Sequence, residues 1–268
     1  MTDAEGRVRT VPSSTTWELP RGSGERWVDD YERGRPGWPA EVVVLADLPR
    51  AATVLDLGAG TGKLTRILAS AFDRVIAVEP QVAMRRELTR RLPDVQALDG
   101  TGQEMPVADS SVDAAFVAQA FHRFDNSAAL AEVARVLRPR GVLVLMWNFP
   151  VGPWEPTTAA AEELLLARAP GEDKLGVDPL DLRSRAYTSG EWRLAFTDSP
   201  FGELHEARLP NPQTLDRDGL VAYYASMGWI ADLPDDERLP LLAGMSSLLD
   251  ASQYRRQWET HAAVTRLE

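Results

Sequence analysis

The chain has 268 residues, 44% hydrophobic and 26% charged, enough for one sizeable core with an appended cap. Its formal net charge of -11 argues against a nucleic-acid substrate, which would call for a basic face. Cysteine is absent, which excludes disulfides, thiolate metal sites and thiol nucleophiles. The first residues are polar, with no apolar leader, and no apolar stretch approaches the ~20 residues needed to span a bilayer. A cytoplasmic protein with no membrane partner is expected.

In chain order, residues 1–24 are rich in Gly, Ser, Thr and Pro and read as a mobile segment. Glu25–Glu32 reads as a short helix and Arg35–Pro39 as an extended turn, with Pro39 opening a helix to about Leu48. Strands are expected at 53–57, 74–79, 95–98, 112–118 and 142–147. Helices fall between them at about 62–71, 81–91 and from Asn126 or Ser127 to Leu137. This alternation implies a doubly wound, mostly parallel α/β sheet. It stops after Asn148. Residues 149–200 carry prolines, aromatics and a helical patch at 158–169, and suit a cap or lid. Leu204–Leu209 and Arg255–Leu267 read as two late strands, an antiparallel hairpin that makes the sheet seven-stranded. Helices at about 214–228 and 234–250 lie between them. The expected organisation is 1–24, a Rossmann-like core over 25–148, a cap over 149–200, and final strands with cap helices over 201–268.

The most informative stretch is Thr53-Val-Leu-Asp-Leu-Gly-Ala-Gly-Thr-Gly62, a strand breaking into alternate glycines before a helix. Such a turn brings bare backbone close to a ligand. A Walker A loop would need Gly at 57 and a hydroxyl at 64, where Leu57 and Leu64 stand. The dinucleotide fingerprint would need Gly at 63, where Lys63 stands, and Asp56 would repel a diphosphate. A turn after a strand ending in Asp suits a ligand with an ammonium and no phosphate, such as S-adenosylmethionine. The alternative is an ordinary glycine-rich turn. Glu79, closing the next strand, is placed to accept both ribose hydroxyls of a nucleoside.

Other candidates follow from position. Asp56 either caps the following helix or faces the methionine ammonium. Met84 is either core or an adenine-edge contact, and Gln119 at a strand end faces the methionine moiety. His122, one of three histidines, opens into the crevice as a general base or as a lining residue. His205 and His261 fall in the late hairpin and read as structural. Trp147, Trp154, Tyr187, Trp192, Phe196, Tyr223, Tyr224 and Trp229 supply a cap that is mostly core, with some residues lining a substrate pocket. Arg183, Arg185 and Arg193 are either surface charges or partners for an anionic acceptor. No His/Asp/Glu spacing suggests a metal.

Five segments, Val54–Gly62, Ala77–Pro80, Gly100–Pro106, Asp113–Phe124 and Glu132–Trp147, together resemble the successive motifs of class I S-adenosylmethionine-dependent methyltransferases. Gln119-Ala-Phe-His-Arg-Phe124, Ala134-Arg-Val-Leu-Arg-Pro139 and Tyr31-x-x-x-Arg35-Pro resemble the small-molecule branch of trans-aconitate methyltransferase-like proteins. The resemblance implies a cofactor site of Gly58, Ala59, Gly60, Thr61, Gly62, Glu79, Pro80, Thr101, Gly102 and Gln103. Tyr31 and Arg35 would cover the cofactor from above. Arg123 departs from the Trp common in that branch. Thr101 departs from an adenine-contacting Asp, leaving a hydroxyl and backbone for that task. The implied product is S-adenosylhomocysteine, the acceptor a small molecule with O-methylation favoured, and the assembly a monomer or homodimer. Rival readings are a peptide or protein methyltransferase and a cofactor-binding protein of the same fold that transfers no methyl group.

Overall fold

Apolar runs at 53–57 and 112–118 are buried almost throughout, as strands covered on both faces must be. They belong to a mixed sheet seen in a computed structural model that describes residues 24–124, 126–170, 180 and 188–268. Residues 1–23, Arg183, Arg185 and Tyr187 lie outside the described residues. Strands β1 (Thr53–Leu57), β2 (Arg74–Val78), β3 (Gln96–Leu98), β4 (Val112–Ala118) and β5 (Leu137–Glu155) pair in parallel in the order β3-β2-β1-β4-β5. The order reverses beside β1, so a crevice opens over the carboxyl ends of β1 and β4, the usual ligand position in such sheets.

The late strands among the described residues are β6 (His205–Pro210), β7 (Gln213–Asp216) and β8 (Gln253–Arg266). β8 runs antiparallel to β5 on one side and to β6 and then β7 on the other. Among the described residues the sheet therefore has eight strands, one more than the sequence suggested. The extra strand covers residues read as the start of a helix. Asp216 accepts a hydrogen bond from Gly219 N at 2.6 Å, so the helix starts at Arg217 and frees Gln213–Asp216 to pair. β5 also runs on past Asn148. Phe149, Pro150 and Val151 pair with Glu259, Trp258 and Gln257, so the first part of the expected cap is strand.

The α-helices among the described residues are α1 (Glu25–Gly34), α2 (Lys63–Ala71), α3 (Val82–Arg91), α4 (Asn126–Val136), α5 (Ala159–Leu166), α6 (Arg217–Ala225), α7 (Gly228–Ala231) and α8 (Asp235–Ser247). The helix expected from Pro39 to about Leu48 is a 3-10 helix over residues 40–46. Three successive valines, stiff at χ1, favour the shorter form there.

Two cores sandwich the parallel sheet. On one face Leu55, Leu57, Val117, Leu143 and Leu145 meet Leu130 and Val133 of α4, with Trp147, Trp192 and Phe196 beyond. On the other, Val54, Phe116, Val144 and Met146 meet Leu64 and Leu68 of α2. A further core joins Trp154, Tyr254 and Trp258 on β5 and β8 to Tyr223 and Tyr224 of α6 and to Leu241, Leu242 and Met245 of α8. α1 lies against this cap closely enough that a Cβ on Gly34 would stand 2.1 Å from Tyr223 N.

Candidate cofactor and acceptor site

The turn after β1 is tied to β2, since Gly58 N and Ala59 N both donate to Val78 O, at 2.8 and 3.1 Å. Gly58 and Gly60 have φ of 72° and 59°, a conformation that glycine alone adopts cheaply. A Cβ on Gly58 would strike Ala120 at 2.6 Å, whereas one on Gly60 would meet nothing within 4 Å among the described residues. Gly60 therefore presents bare backbone to open space. Gly62 caps α2.

Glu79 follows β2 and reaches back to this turn. Its Oε2 accepts Gly60 N at 2.8 Å and its Oε1 accepts Gln81 N at 2.9 Å. Each oxygen keeps a lone pair, the arrangement a vicinal diol needs. Burial raises the Glu79 pKa, opposed by those N–H groups and by Arg123 and Arg85. Asp56 is completely buried in β1. Its Oδ2 accepts the Thr65 hydroxyl at 2.6 Å, while Oδ1 has no hydrogen-bond partner among the described residues. Burial raises its pKa to about 7, Thr65 works against the shift and Glu79 adds to it. A bare buried carboxylate oxygen is costly until a cation or donor reaches it. This fits the ammonium of S-adenosylmethionine, and the open face of Gly60 with the free lone pairs of Glu79 fits its nucleoside.

The remaining expected residues spread around the crevice. Gln119 ends β4 with φ of 52°, strained for a non-glycine residue, and its Nε2 donates to Asn148 O at 3.3 Å. Thr101 folds its own loop, its hydroxyl accepting Gln103 N and Glu104 N at 3.3 and 3.1 Å. Gly102 lies under the Phe124 ring, 2.7 Å from where its Cβ would be. Thr61 is buried and Pro80 exposed. Met84 packs with Trp27, Val28 and Tyr31 between α1 and α3, a core position. The Arg35 guanidinium lies 5.9 and 5.7 Å from the Tyr31 and Tyr223 ring centres and donates to Ser226 Oγ and O at 2.7 and 3.0 Å. Burial lowers the Arg35 pKa, and Arg123 stands in electrostatic reach.

His122 sits in the 3-10 turn Phe121–Arg123 after β4. Burial and the neighbouring Arg123 push its pKa down to about 3, so the imidazole is neutral near neutral pH. This favours the lining reading of His122 over the general-base one, because so weak a base gains little by taking a proton. Two residues missed in the sequence are Glu32 and Phe124. Glu32 Oε2 accepts the Thr61 hydroxyl at 2.6 Å, and Lys63 Nζ donates to Glu32 O at 2.6 Å. The only available signal for Glu32 was its place between Tyr31 and Arg35. Trp147, Trp154, Trp192, Phe196, Tyr223 and Tyr224 are all buried core, Trp229 packs beside the cap core, and Arg193 pairs with Glu206. His205 and His261 lie in β6 and β8, with His261 Nε2 2.6 Å from Glu259. Among the described residues no His/Asp/Glu trio could hold a metal, and no helix is long and apolar enough to cross a membrane.

Comparison with known proteins agrees with this geometry. Residues 55–145 match the family model described as a methyltransferase domain. An uncharacterized methyltransferase of Mycobacterium tuberculosis is 53% identical over 122 residues, 45% of this chain and 50% of that protein. The chain thus spans about half the length of its mycobacterial relatives. An uncharacterized methyltransferase-like protein of Schizosaccharomyces pombe is 32% identical over 218 residues, 79% of each chain. A solved structure of a proposed type II methyltransferase from Anaeromyxobacter dehalogenans superposes with a TM-score of 0.60 at 25% identity, over 87% of this chain and 97% of that one. The long match to the fission-yeast protein, the family model over the turn and the sheet order agree: the chain belongs to the class I S-adenosylmethionine-dependent methyltransferase family.

Proposed function

We propose that the protein transfers a methyl group from S-adenosylmethionine to a small-molecule acceptor, with oxygen the favoured atom. The observation that carries the reading is the open glycine turn flanked by the Glu79 carboxylate and the bare oxygen of Asp56. Bound there, the cofactor supplies a methyl group already activated on a sulfonium. The chain's task is then to hold, align and exclude water. Glu79 takes the ribose hydroxyls, and Asp56, ionised by the encounter, faces the ammonium. Arg35, whose near neighbours are Ser226, Tyr31, Tyr223 and Arg123, suits the methionine carboxylate. Gln119 and Thr101–Gln103 line the two ends, and Tyr31 approaches from α1.

On the acceptor side, a neutral His122 supports an oxygen that arrives already ionised, a carboxylate or phenolate, for which proximity suffices. The motifs at Gln119–Phe124 and Ala134–Pro139 support a place in the small-molecule branch of trans-aconitate methyltransferase-like proteins. A demethylmenaquinone methyltransferase of Paenarthrobacter aurescens, 34% identical over 118 residues and 47% of its length, keeps a quinol acceptor in the test panel. The test has two stages. Calorimetry should show S-adenosylhomocysteine binding. Release of S-adenosylhomocysteine should then follow with one of a panel of carboxylates, phenols and quinols. A protein that binds no S-adenosylhomocysteine at millimolar concentration overturns the reading.

A further inference from the structure

The carboxylate of Glu32 is almost inaccessible, with 7% of its side chain exposed, and cations surround it. Oε2 accepts the Thr61 hydroxyl at 2.6 Å and lies 3.6 Å from Lys63 Nζ. Oε1 lies 3.5 Å from Arg66 Nη1 and 3.4 Å from Arg91 Nη1. Lys63 also donates to the Glu32 backbone carbonyl at 2.6 Å. One acid of α1 thus gathers the glycine turn, the start of α2 and the end of α3. Fastening a helix does not by itself require the turn. Here the grip falls on Thr61, next to Gly60, whose N–H is held by Glu79. Two carboxylates, one on α1 and one just after β2, therefore fix consecutive residues of the turn.

The other side of α1 is bound to the cap. Trp27 Nε1 donates to Ser226 O at 3.2 Å and Arg35 holds the same residue. Asp30 pairs with the buried Arg238 of α8 at 2.5 Å, and Gly34 abuts Tyr223 of α6. α1 is a strut with Glu32 at one end of its load path and Ser226 at the other. Without the Glu32 charge, Lys63 would keep only a backbone carbonyl, beside two arginines that repel it.

We propose that Glu32 is a positioning residue for methyl transfer: it holds α1 against the glycine turn and thereby couples occupation of the turn to the seating of the cap. This rests on the turn being the cofactor site. The experiment titrates the whole protein with S-adenosylhomocysteine by calorimetry and follows hydrogen exchange of α6 with and without that ligand. Three proteins are compared: the parent, Glu32→Gln, and Arg50→Ala, which breaks an exposed link to Asp73 that involves neither α1 nor α6. Glu32→Gln should weaken binding on the order of tenfold or more, a usual size for coupling between sites. In the parent and in Arg50→Ala, ligand should add protection to α6; in Glu32→Gln it should not. Parental affinity and parental α6 protection in Glu32→Gln overturn the proposal. A parent that fails to bind S-adenosylhomocysteine overturns the site reading instead, and the coupling with it. If Glu32→Gln does not fold, Glu32→Asp keeps the charge but shortens the reach. It should lose affinity and α6 protection in part, and parental values for both would again overturn the proposal.

Discussion

Glu79 and Asp56 lie near one another but are held in different states. Each oxygen of Glu79 accepts one backbone N–H and keeps a lone pair, whereas one oxygen of Asp56 meets no donor among the described residues. Glu79→Ala should remove two charge-assisted hydrogen bonds to the ribose and weaken S-adenosylhomocysteine binding by about 30- to 1000-fold, roughly 2–4 kcal/mol. Calorimetry measures this, and unchanged affinity would place the nucleoside elsewhere. Asp56 makes the free protein pH-sensitive. Its folded pKa, about 7, stands above the unfolded 3.8, so its stabilising contribution is complete below about pH 4 and is lost as pH rises through 7. Stability should fall by up to roughly 4 kcal/mol across that window. Asp56→Asn should flatten most of the slope, leaving the smaller part due to Glu79, whose pKa is raised too. Urea titrations at several pH values check this, and an equal slope in the variant counts against the assignment. Cofactor affinity should change the other way, rising toward pH 8 because the ammonium selects ionised Asp56. With its pKa near 3, His122 should impose no imidazole limb on the transfer rate between pH 5 and 8. His122→Ala should raise the acceptor KM more than it lowers kcat, and a hundredfold loss in kcat would restore the base.

At the scale of elements, the limits of β1 and β4 were legible to the residue, because a strand buried on both faces is a continuous apolar run ending at a glycine or polar break. The glycines and Glu79 were legible for a related reason, since local backbone demands dictate residue type. Glu32 and Phe124 were not. Their roles depend on side chains meeting across the fold, Glu32 with Thr61 and Phe124 with Gly102, and no local period records such a meeting. The expected cap over 149–200 begins as strand and buries its aromatics among the described residues. Residues 149–151 pair with β8, and Trp192 and Phe196 are buried against Phe121 in the main core. Prolines and glycines at 150–156 hid the strand, because they break the alternation that marks one. Hydrogen exchange should therefore find the amides of Phe149 and Val151, and of the 3-10 turn Glu191–Phe196, slow in the free protein. Rapid exchange there, at the rate of an open loop, would return these segments to the lid.

At the scale of the molecule, the doubly wound half follows from the alternation of runs, but the far half of the sheet is fixed by one strand. β8 supplies the partner for β5, β6 and β7 alike. Val142 pairs with Arg266, and Met146 with Ala262, across more than a hundred intervening residues. This gives the fold a timetable. At about 5–20 residues per second of synthesis, the completed edge of β5 waits on the order of 5–20 s for its cover. During that interval Val142–Met146, five apolar residues buried in the finished protein, form a sticky unpaired margin. Nascent chains halted before Gln253 should therefore be captured by a holdase chaperone and stay protease-sensitive, while chains released after Arg266 should escape both. Equal resistance in the two would mean that the first five strands form a finished unit, and that β8 is an addition rather than a keystone.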